Sequence, residues 1–264
     1  MLGSLGCQDI AVRINPGIGS GHNNRTNVGG PASSFGIWYR QLQNVVDTAQ
    51  ENGQTISRLH THIGSGADPD IWRMAIQKSL NIVDQLPDVE TLDIGGGYKV
   101  ARMPEEQATD MNEVGAVFAE ELEAFKSLTG REVKLEIEPG TYLVANAGTL
   151  LGRVEELTST DLYTYLKLNV GMNAILRPSL YGAQHPIEVL NEASYQADYV
   201  VVGPCCESGD ILTPAPGDPE GILPRRLKKA EVGDFVAIGG AGAYCASMSP
   251  NRYNDIPEAT EIVV

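Results

Sequence analysis

Short apolar segments alternate with longer amphipathic ones through the first half of the chain, and this alternation limits the folds available to it. Strand-like segments that end in glycine-rich or polar loops occupy 9–15, 55–64, 89–97 and 132–140. Helix-like segments, with apolar residues near the helical period, occupy 35–53, 68–86 and 111–130. The alternation predicts parallel strands with helical crossovers. A doubly wound sheet and half of a (β/α)8 barrel both satisfy it.

After about residue 145 the pattern changes to short β-rich segments separated by glycine, proline and aspartate, with no convincing long helix. This pattern is typical of an antiparallel β-sandwich or barrel. The sequence therefore predicts two domains, an α/β domain over 1–145 and a C-terminal β domain over 146–264.

Charge and cysteine content exclude several classes of protein. The formal net charge is −15 and no basic cluster is present, so nucleic acid and anionic membrane surfaces are poor partners. No apolar run approaches the ~20 residues of a membrane span, and the first residues lack the basic region of a secretory signal. Four cysteines, two of them adjacent, make a poor disulfide framework and indicate a reducing compartment. We expect a cytoplasmic protein.

Three consecutive strand-like segments run into loops suited to a phosphate group. These loops read HIGSG at 62–66, DIGGGY at 93–98 and EPGTY at 138–142. Glycines allow backbone N–H groups to approach a phosphate closely, and Ser65 offers a hydroxyl. A single glycine loop is more often only a turn, but three in a row rarely arise by chance. The sequence predicts a phosphate-binding edge at these loops.

Five motifs together resemble one enzyme family. They are HTHIGSG at 60–66, EIEPG at 136–140, RPSLYG at 177–182, GPCCESGD at 203–210 and GAYCASMS at 242–249. In this order they resemble the fold-type III decarboxylases that use pyridoxal phosphate (PLP), and within that group the diaminopimelate branch. The resemblance implies that the four strand-like segments are strands five to eight of an alanine-racemase-like (β/α)8 barrel. It also implies that strands one to four and the Schiff-base lysine belong upstream of Met1.

The resemblance assigns the cofactor-binding residues. It implies that the three loops hold the PLP phosphate through Ser65, Gly96, Gly97, Gly140 and Thr141. The remaining cofactor contacts are assigned to His62, which lies flat on the ring, Glu138, which pairs with the protonated pyridine nitrogen, and Tyr244. Glu138 would keep the ring an electron sink. Without the resemblance, a capping role for Glu138 is as ordinary as a cofactor contact, and a buried core role is the more common one for a single histidine such as His62.

The resemblance also assigns the catalytic and substrate-binding residues. Cys206 is implied to protonate the carbanion after CO2 leaves, and Glu207 to bind the distal polar end of the substrate. Arg177 and Tyr181 are nominated as further substrate contacts, since a guanidinium fork suits a second carboxylate. The segment holding Cys206 and Glu207 reaches the partner's active site in the family. We therefore expect a homodimer with shared active sites, and a separate N-terminal polypeptide stays open as a further partner.

A metal-dependent barrel hydrolase stays open as an alternative. His60 and His62 form an H-x-H pair at a strand end, an arrangement that binds metal in other barrels. A catalytic zinc site needs about three protein ligands and one open position. His22, His185 and the acidic residues Glu136 and Glu138 are the remaining candidates for ligands. The decarboxylase assignment, which we favour, includes no metal.

The chain departs from the family pattern at three positions. Thr141 stands where the family has arginine after EPG, and Asn169 and Ala174 replace acidic residues. Decarboxylation of meso-diaminopimelate to L-lysine, a step of lysine biosynthesis, is the main prediction. Because of these departures, decarboxylation of another amino acid, such as D-lysine or D-ornithine, stays open beside it.

The lysines give a further alternative. Lys78, Lys99 and Lys126 match no anchoring lysine of the family. This chain alone is therefore expected to be inactive, and a catalytically dead homologue that only dimerises also stays open.

Overall fold

The computed structural model describes residues 3–21 and 27–264, which form two compact units. The first unit comprises Met1–Val100 and Gln107–Tyr142, and the second comprises Ala101–Glu106 and Leu143–Val264. The predicted division into domains at residue 145 stays a prediction, because compactness alone does not show that either part folds independently.

The first unit is an α/β unit built on a five-stranded parallel sheet. Its strands are β1 (Asp9–Asn15), β2 (Ile37–Trp38), β3 (Thr55–His60), β4 (Thr91–Asp93) and β5 (Lys134–Glu136). They lie in the order β2-β1-β3-β4-β5, and every neighbouring pair is parallel. The predicted parallel sheet with helical crossovers is thus confirmed in its coarse form.

Three helices cover this sheet, and they are α1 (Leu42–Glu51), α2 (Pro69–Val83) and α3 (Met111–Thr129). The Asp68 side chain caps α2 by accepting the backbone N–H of Asp70, and Pro69 occupies the first turn. The helix predicted over 35–53 begins later than expected. Its first residues instead form β2, which pairs with the edge of β1, followed by a 3₁₀ turn at Tyr39–Gln41.

The two faces of the parallel sheet differ in polarity. The helix-covered face buries apolar residues, among them Val12, Leu59 and Leu92, in one core with α2 and α3. Residues on the opposite face lie in register across the strands and are polar: Arg13, His60, Asp93 and Glu136. Since parallel strands end at the same edge, this row lies at the carboxyl edge of the sheet, where the predicted binding loops begin.

The second unit is built on a six-stranded sheet and a two-stranded one. Its strands are β6 (Leu150–Ser159), β7 (Thr164–Leu168), β8 (Ile187–Leu190), β9 (Gln196–Val202), β10 (Pro214–Ala215), β11 (Asp218–Ile222), β12 (Arg225–Lys228) and β13 (Phe235–Ile238). The large sheet has the order β12-β9-β7-β6-β13-β8, and β10 pairs with β11. The two edges of the large sheet approach each other, since Lys228 Nζ on β12 lies 4.0 Å from Glu188 Oε1 on β8. The sheet is therefore a nearly closed barrel.

One pair of strands corrects the prediction of a purely antiparallel sheet. β7 and β9 are parallel, with Leu166 opposite Val201. The connection between them contains β8 and the short helix α5 (Arg177–Tyr181). This crossover returns the chain to the same end of the sheet before β9 begins, as a parallel pair requires.

The second unit has its own apolar core, which includes Val154, Leu166, Val201 and Val236. Its helical segments are all short. Besides α5 they are 3₁₀ turns at Ala145–Ala147, Ala246–Met248 and Tyr253–Asp255. Helix α4 (Gly140–Val144) connects the two units along the chain. In the described part of the chain, none of the helices has the length and apolar character needed to cross a membrane.

Candidate active site

The loops that follow the strands of the first unit are joined by backbone hydrogen bonds. Ser20 N–H donates to the Ile63 carbonyl at 2.8 Å, which links the loops after β1 and β3. Gly66 N–H donates to the Gly97 carbonyl at 3.1 Å. Glu138 N–H donates to the Gly95 carbonyl at 3.0 Å. The three loops predicted from sequence to bind phosphate therefore lie side by side at one edge of the sheet.

Close approach of these loops explains two of the glycines. A Cβ atom on Gly97, whose φ is +102°, would overlap the carbonyl oxygen of Gly64. A Cβ atom on Gly96 would overlap the carbonyl oxygen of Glu138. Both positions require glycine whether or not a phosphate binds, because backbone of the neighbouring loop occupies the space of a side chain.

Hydrogen bonds fix the backbone of Ser65. Its N–H donates to the Ser20 carbonyl at 3.0 Å, and its carbonyl accepts the Ser20 hydroxyl at 2.9 Å. The next residue is also held, since the Gly66 carbonyl accepts from Trp72 Nε1 and Thr109 Oγ1. Within 3–21 and 27–264 the Ser65 hydroxyl has no hydrogen-bond partner, which leaves it available to a ligand.

His62 lies against the glycine loop. A Cβ atom on Gly95 would lie 2.7 Å from His62 Nδ1, and this nitrogen is buried without a hydrogen-bond partner among the described residues. Burial, followed by the charge of Arg13, lowers the pKa of His62 to about 4. The imidazole is therefore neutral near pH 7.

Glu138 belongs to a cluster with His60 and Asp93. Glu138 Oε2 lies 3.8 Å from His60 Nε2, and ligand atoms of all three residues lie within 4.8 Å of one another. Asp93 is buried and accepts the Gly95 N–H at 2.9 Å. Burial lowers the pKa of His60, while Asp93 and Glu138 oppose the shift. The cluster presents carboxylates suited to a protonated ring nitrogen, and its three donors are also of the types that bind a divalent cation.

Gly140 and Thr141 are placed differently from the other residues predicted to bind the phosphate. α4 begins at Gly140, whose N–H donates to the Glu138 carbonyl at 2.8 Å. Apart from its chain neighbours and the backbone of its own helix, no described atom lies within 4 Å of a Cβ built on Gly140. The glycine is therefore not required by packing, and its amide already has an acceptor. Thr141 is half-buried, and the phosphate role of both residues stays a prediction.

Cys206 and Glu207 lie in an exposed turn of the second unit. Cys206 N–H donates to Asn254 Oδ1 at 2.8 Å, and Glu207 Oε1 accepts the Gly209 N–H at 3.2 Å. Glu207 also lines a cavity of about 930 Å³ whose other acidic residues include Glu155 and Asp210. The exposed thiol and carboxylate are free to meet a group from outside the unit.

A buried carboxylate holds this turn in place. Asp210 Oδ1 accepts the Met172 N–H at 2.6 Å, and Oδ2 accepts the Cys205 N–H at 2.9 Å. Cβ atoms on Gly171 or Gly203 would overlap the Asp210 carboxylate. Asp210 thus joins the loop after β7 to the turn that carries Cys206, a role that the sequence motif alone does not reveal.

Arg177 and Tyr181 are the first and last residues of α5. Arg177 Nε–H donates to His185 Nε2 at 3.4 Å, and His185 Nδ1 lies 2.9 Å from the Gly239 carbonyl. Because the carbonyl can only accept, Nδ1 carries the proton and Nε2 is the acceptor. Burial lowers the pKa of His185 to about 4. Both ring nitrogens are engaged, so His185 is not free to bind a metal, while His22 lies outside the described residues.

Tyr244 has an unusual backbone conformation. Its φ is +55°, in the left-handed region that costs a residue with a bulky side chain on the order of 1 kcal/mol. Its side chain is exposed. A strained, exposed aromatic residue between the core of the unit and solvent is consistent with a ligand contact, which stays a prediction for Tyr244.

The two other departures from the family pattern have local structural roles. Asn169 Oδ1 accepts the Arg153 N–H at 2.8 Å, and Asn169 N–H donates to the Arg153 carbonyl at 3.1 Å. Ala174 is buried, so an acidic residue there would need a partner for its charge.

The fold and the strand-end loops together define the class of protein. The family described as "Pyridoxal-dependent decarboxylase, pyridoxal binding domain" matches residues 4–145. This range contains the parallel sheet and all three loops. The chain belongs to the pyridoxal-dependent decarboxylases.

Individual relatives and solved structures show which enzymes of this family are similar to the chain. The chain is 34% identical to diaminopimelate decarboxylase of Escherichia coli over 261 residues, which cover 96% of this chain and 61% of that protein. A crystal structure of a diaminopimelate decarboxylase superposes with a TM-score of 0.88 at 33% identity, covering 96% of this chain and 61% of the other. The Helicobacter pylori enzyme complexed with L-lysine gives a TM-score of 0.82 at 29% identity, covering 95% and 60%. The chain thus spans about three-fifths of the length of these relatives.

Proposed function

We propose that this chain is part of a PLP-dependent decarboxylase that converts meso-diaminopimelate to L-lysine and CO2. The observation that carries the proposal is the group of three joined loops at the strand ends, within the range that matches the pyridoxal-binding family. The relatives named above are diaminopimelate decarboxylases, and one binds L-lysine. The reaction would take place in the cytoplasm.

The residues of the first unit fit a phosphorylated, flat, cationic ring. The hydroxyl of Ser65 and the backbone of Gly96 and Gly97 would hold the phosphate, with Thr141 assigned by resemblance. The neutral imidazole of His62 would cover one face of the ring. Glu138 would hold a proton on the ring nitrogen. When bound, PLP supplies an electron sink for the charge left on the substrate carbon as CO2 departs.

The residues of the second unit would handle the substrate. Arg177, held by its bond to His185, would bind the carboxylate that the product retains, with Tyr181 beside it. Cys206 would deliver a proton to the substrate carbon, and Glu207 would bind the distal ammonium group. Because Cys206 and Glu207 are exposed, we propose that they serve the active site of a second subunit in a homodimer.

We further propose that the parallel sheet is the second half of a (β/α)8 barrel, its four main strands being strands five to eight. The polar face of the sheet would then line the barrel interior. Strands one to four would come from outside these 264 residues, either in the same polypeptide or in a separate one. The β unit would form the C-terminal domain.

Metal-dependent hydrolysis is the second candidate function. The observation that favours it is the cluster of His60, Asp93 and Glu138, which offers three ligand atoms within 4.8 Å of one another. His62, the other member of the H-x-H pair, is not part of this cluster. Family membership favours PLP over a metal at this edge of the sheet.

The proposal predicts the products formed from a panel of amino acids. Once strands one to four and PLP are supplied, the protein is expected to release CO2 from meso-diaminopimelate and form equimolar L-lysine. D-lysine and D-ornithine should react at least about 100-fold more slowly, because neither offers a second carboxylate to a site with a buried arginine. Mass spectrometry of products and metal analysis of the same sample provide the measurement.

Other outcomes would each support a different alternative. Faster turnover of D-lysine or D-ornithine would assign the chain to another decarboxylase specificity. No turnover of any amino acid with PLP bound would indicate a homologue that only dimerises. One tightly bound zinc ion with no PLP would favour the hydrolase.

A further inference from the structure

Arg102 of the second unit presents a buried guanidinium nitrogen without a partner. Its Nε–H donates to the Gly240 carbonyl at 2.9 Å, which fixes the direction of the side chain. Nη2 is fully buried and has no hydrogen-bond partner in the part of the chain that the structure describes. A buried, unpaired and charged N–H group destabilises a protein unless a ligand accepts its hydrogen bond.

A second arginine adds to the positive charge at this place. Burial and the nearby charge of Arg177 lower the pKa of Arg102 to about 10. The pKa of Arg177 is itself lowered by burial. Cys245 and, to a smaller extent, Glu106 oppose both shifts. Burial raises the pKa of the Cys245 thiol, and Glu106 Oε2 already accepts the backbone N–H groups of Arg102 and Met103, at 2.8 and 3.4 Å. The two guanidinium groups therefore lack a full counter-charge.

Both guanidinium groups are held in position before any ligand binds. Arg177 is oriented through His185 and the Gly239 carbonyl. Arg102 crosses Gly240, whose φ is +65° and where a Cβ atom would lie 2.9 Å from Arg102 Cγ and Cδ. A fixed pair of planar cations with an unpaired donor is preorganised for a planar anion, because little side-chain entropy remains to be lost.

We infer that Arg102 binds the carboxylate that the amino-acid substrate keeps after decarboxylation, in company with Arg177. The assignment rests on the proposed function and adds a residue to it. A carboxylate suits the two planar forks, and a phosphate is the other anion that such a site would accept.

Equilibrium binding to the PLP-loaded full chain tests this inference. L-lysine and 1,5-diaminopentane differ only in the carboxylate, so the ratio of their affinities measures the contribution of that group. Arg102→Gln is expected to lower the affinity for L-lysine about 10- to 100-fold, the range of one charge-assisted hydrogen bond. The affinity for 1,5-diaminopentane and for PLP should change less than about 2-fold. Arg102→Lys, which keeps the charge, should recover part of the loss.

Arg225→Gln is the matched control, because Arg225 is also a partly buried arginine of this unit and contacts Gln184 Oε1. Arg225→Gln should leave the ratio of the affinities for L-lysine and 1,5-diaminopentane unchanged. Loss of PLP affinity in Arg102→Gln would overturn the inference in favour of a phosphate ligand. Equal effects of Arg102→Gln and Arg225→Gln would mean that Arg102 is only structural. If the wild type does not prefer L-lysine over 1,5-diaminopentane, the proposed function itself fails.

Discussion

Gly97→Ala is expected to abolish PLP binding and to lower the free energy of unfolding of the protein by about 3 kcal/mol. The methyl group would overlap the carbonyl oxygen of Gly64, and φ of +102° is strained for alanine. Relief of the overlap requires the loops after β3 and β4 to separate, which breaks the bond from Gly66 N–H to the Gly97 carbonyl. Denaturant unfolding and PLP titration provide the two measurements.

Gly115→Ala is the control for this prediction. Gly115 lies inside α3, and no described atom lies within 4 Å of a Cβ built there. Alanine should stabilise the helix by about 0.5–1 kcal/mol and leave PLP binding unchanged. If both substitutions behave alike, the close approach of the loops does not determine the site.

Asp210→Ala is expected to lower the free energy of unfolding of the protein by about 3 kcal/mol and, in the protein completed by strands one to four, to lower kcat by on the order of 100-fold. The change leaves the N–H groups of Met172 and Cys205 without their acceptor. It also opens space beside Gly171 and Gly203. The turn that carries the proposed proton donor Cys206 would then lose its fixed position. Thermal unfolding and steady-state kinetics measure the two effects.

Asp198→Ala controls for loss of an acidic residue. Asp198 pairs with Arg226 on the surface at 3.2 Å, and both side chains are 61% exposed. Exposed ion pairs contribute about 0–1 kcal/mol, so stability and kcat should change little. An Asp210→Ala protein with normal kcat would show that the turn does not depend on this carboxylate.

The sequence predicted the parallel sheet well because its strands are short apolar segments that stop at glycine or polar loops. β1 was located to the residue, at Asp9–Asn15. The helix over 35–53 was wrong at its start because Ile37 pairs with Ile14, a contact that no local periodicity encodes. The parallel pair of β7 and β9 was missed for the same reason, since pairing direction depends on the crossover between the strands.

The sequence predicts only those site residues that lie in a recognisable motif. His62, Ser65 and Glu138 follow strands, so their presence at one sheet edge was accessible from sequence. His60 and Asp93 join Glu138 through strand register, which sequence alone does not give.

The roles of two further residues could not be predicted from the sequence, because they depend on contacts between distant parts of the chain. Asp210 acts on Met172, 38 positions away, and Arg102 contacts Gly240, 138 positions away. The signal that reveals both is burial of a charged group, which becomes visible only in the folded protein.

The most direct test of the pyridoxal site is an equilibrium titration of the full chain with PLP, followed by the absorbance of the bound cofactor. One PLP per chain is expected to bind saturably, with the site lost in Gly97→Ala and retained in Gly115→Ala. Zinc should not compete at equimolar concentration. Absence of saturable binding in the wild type, or zinc binding at His60, Asp93 and Glu138 that excludes PLP, would contradict the assignment of the strand-end loops to a pyridoxal cofactor.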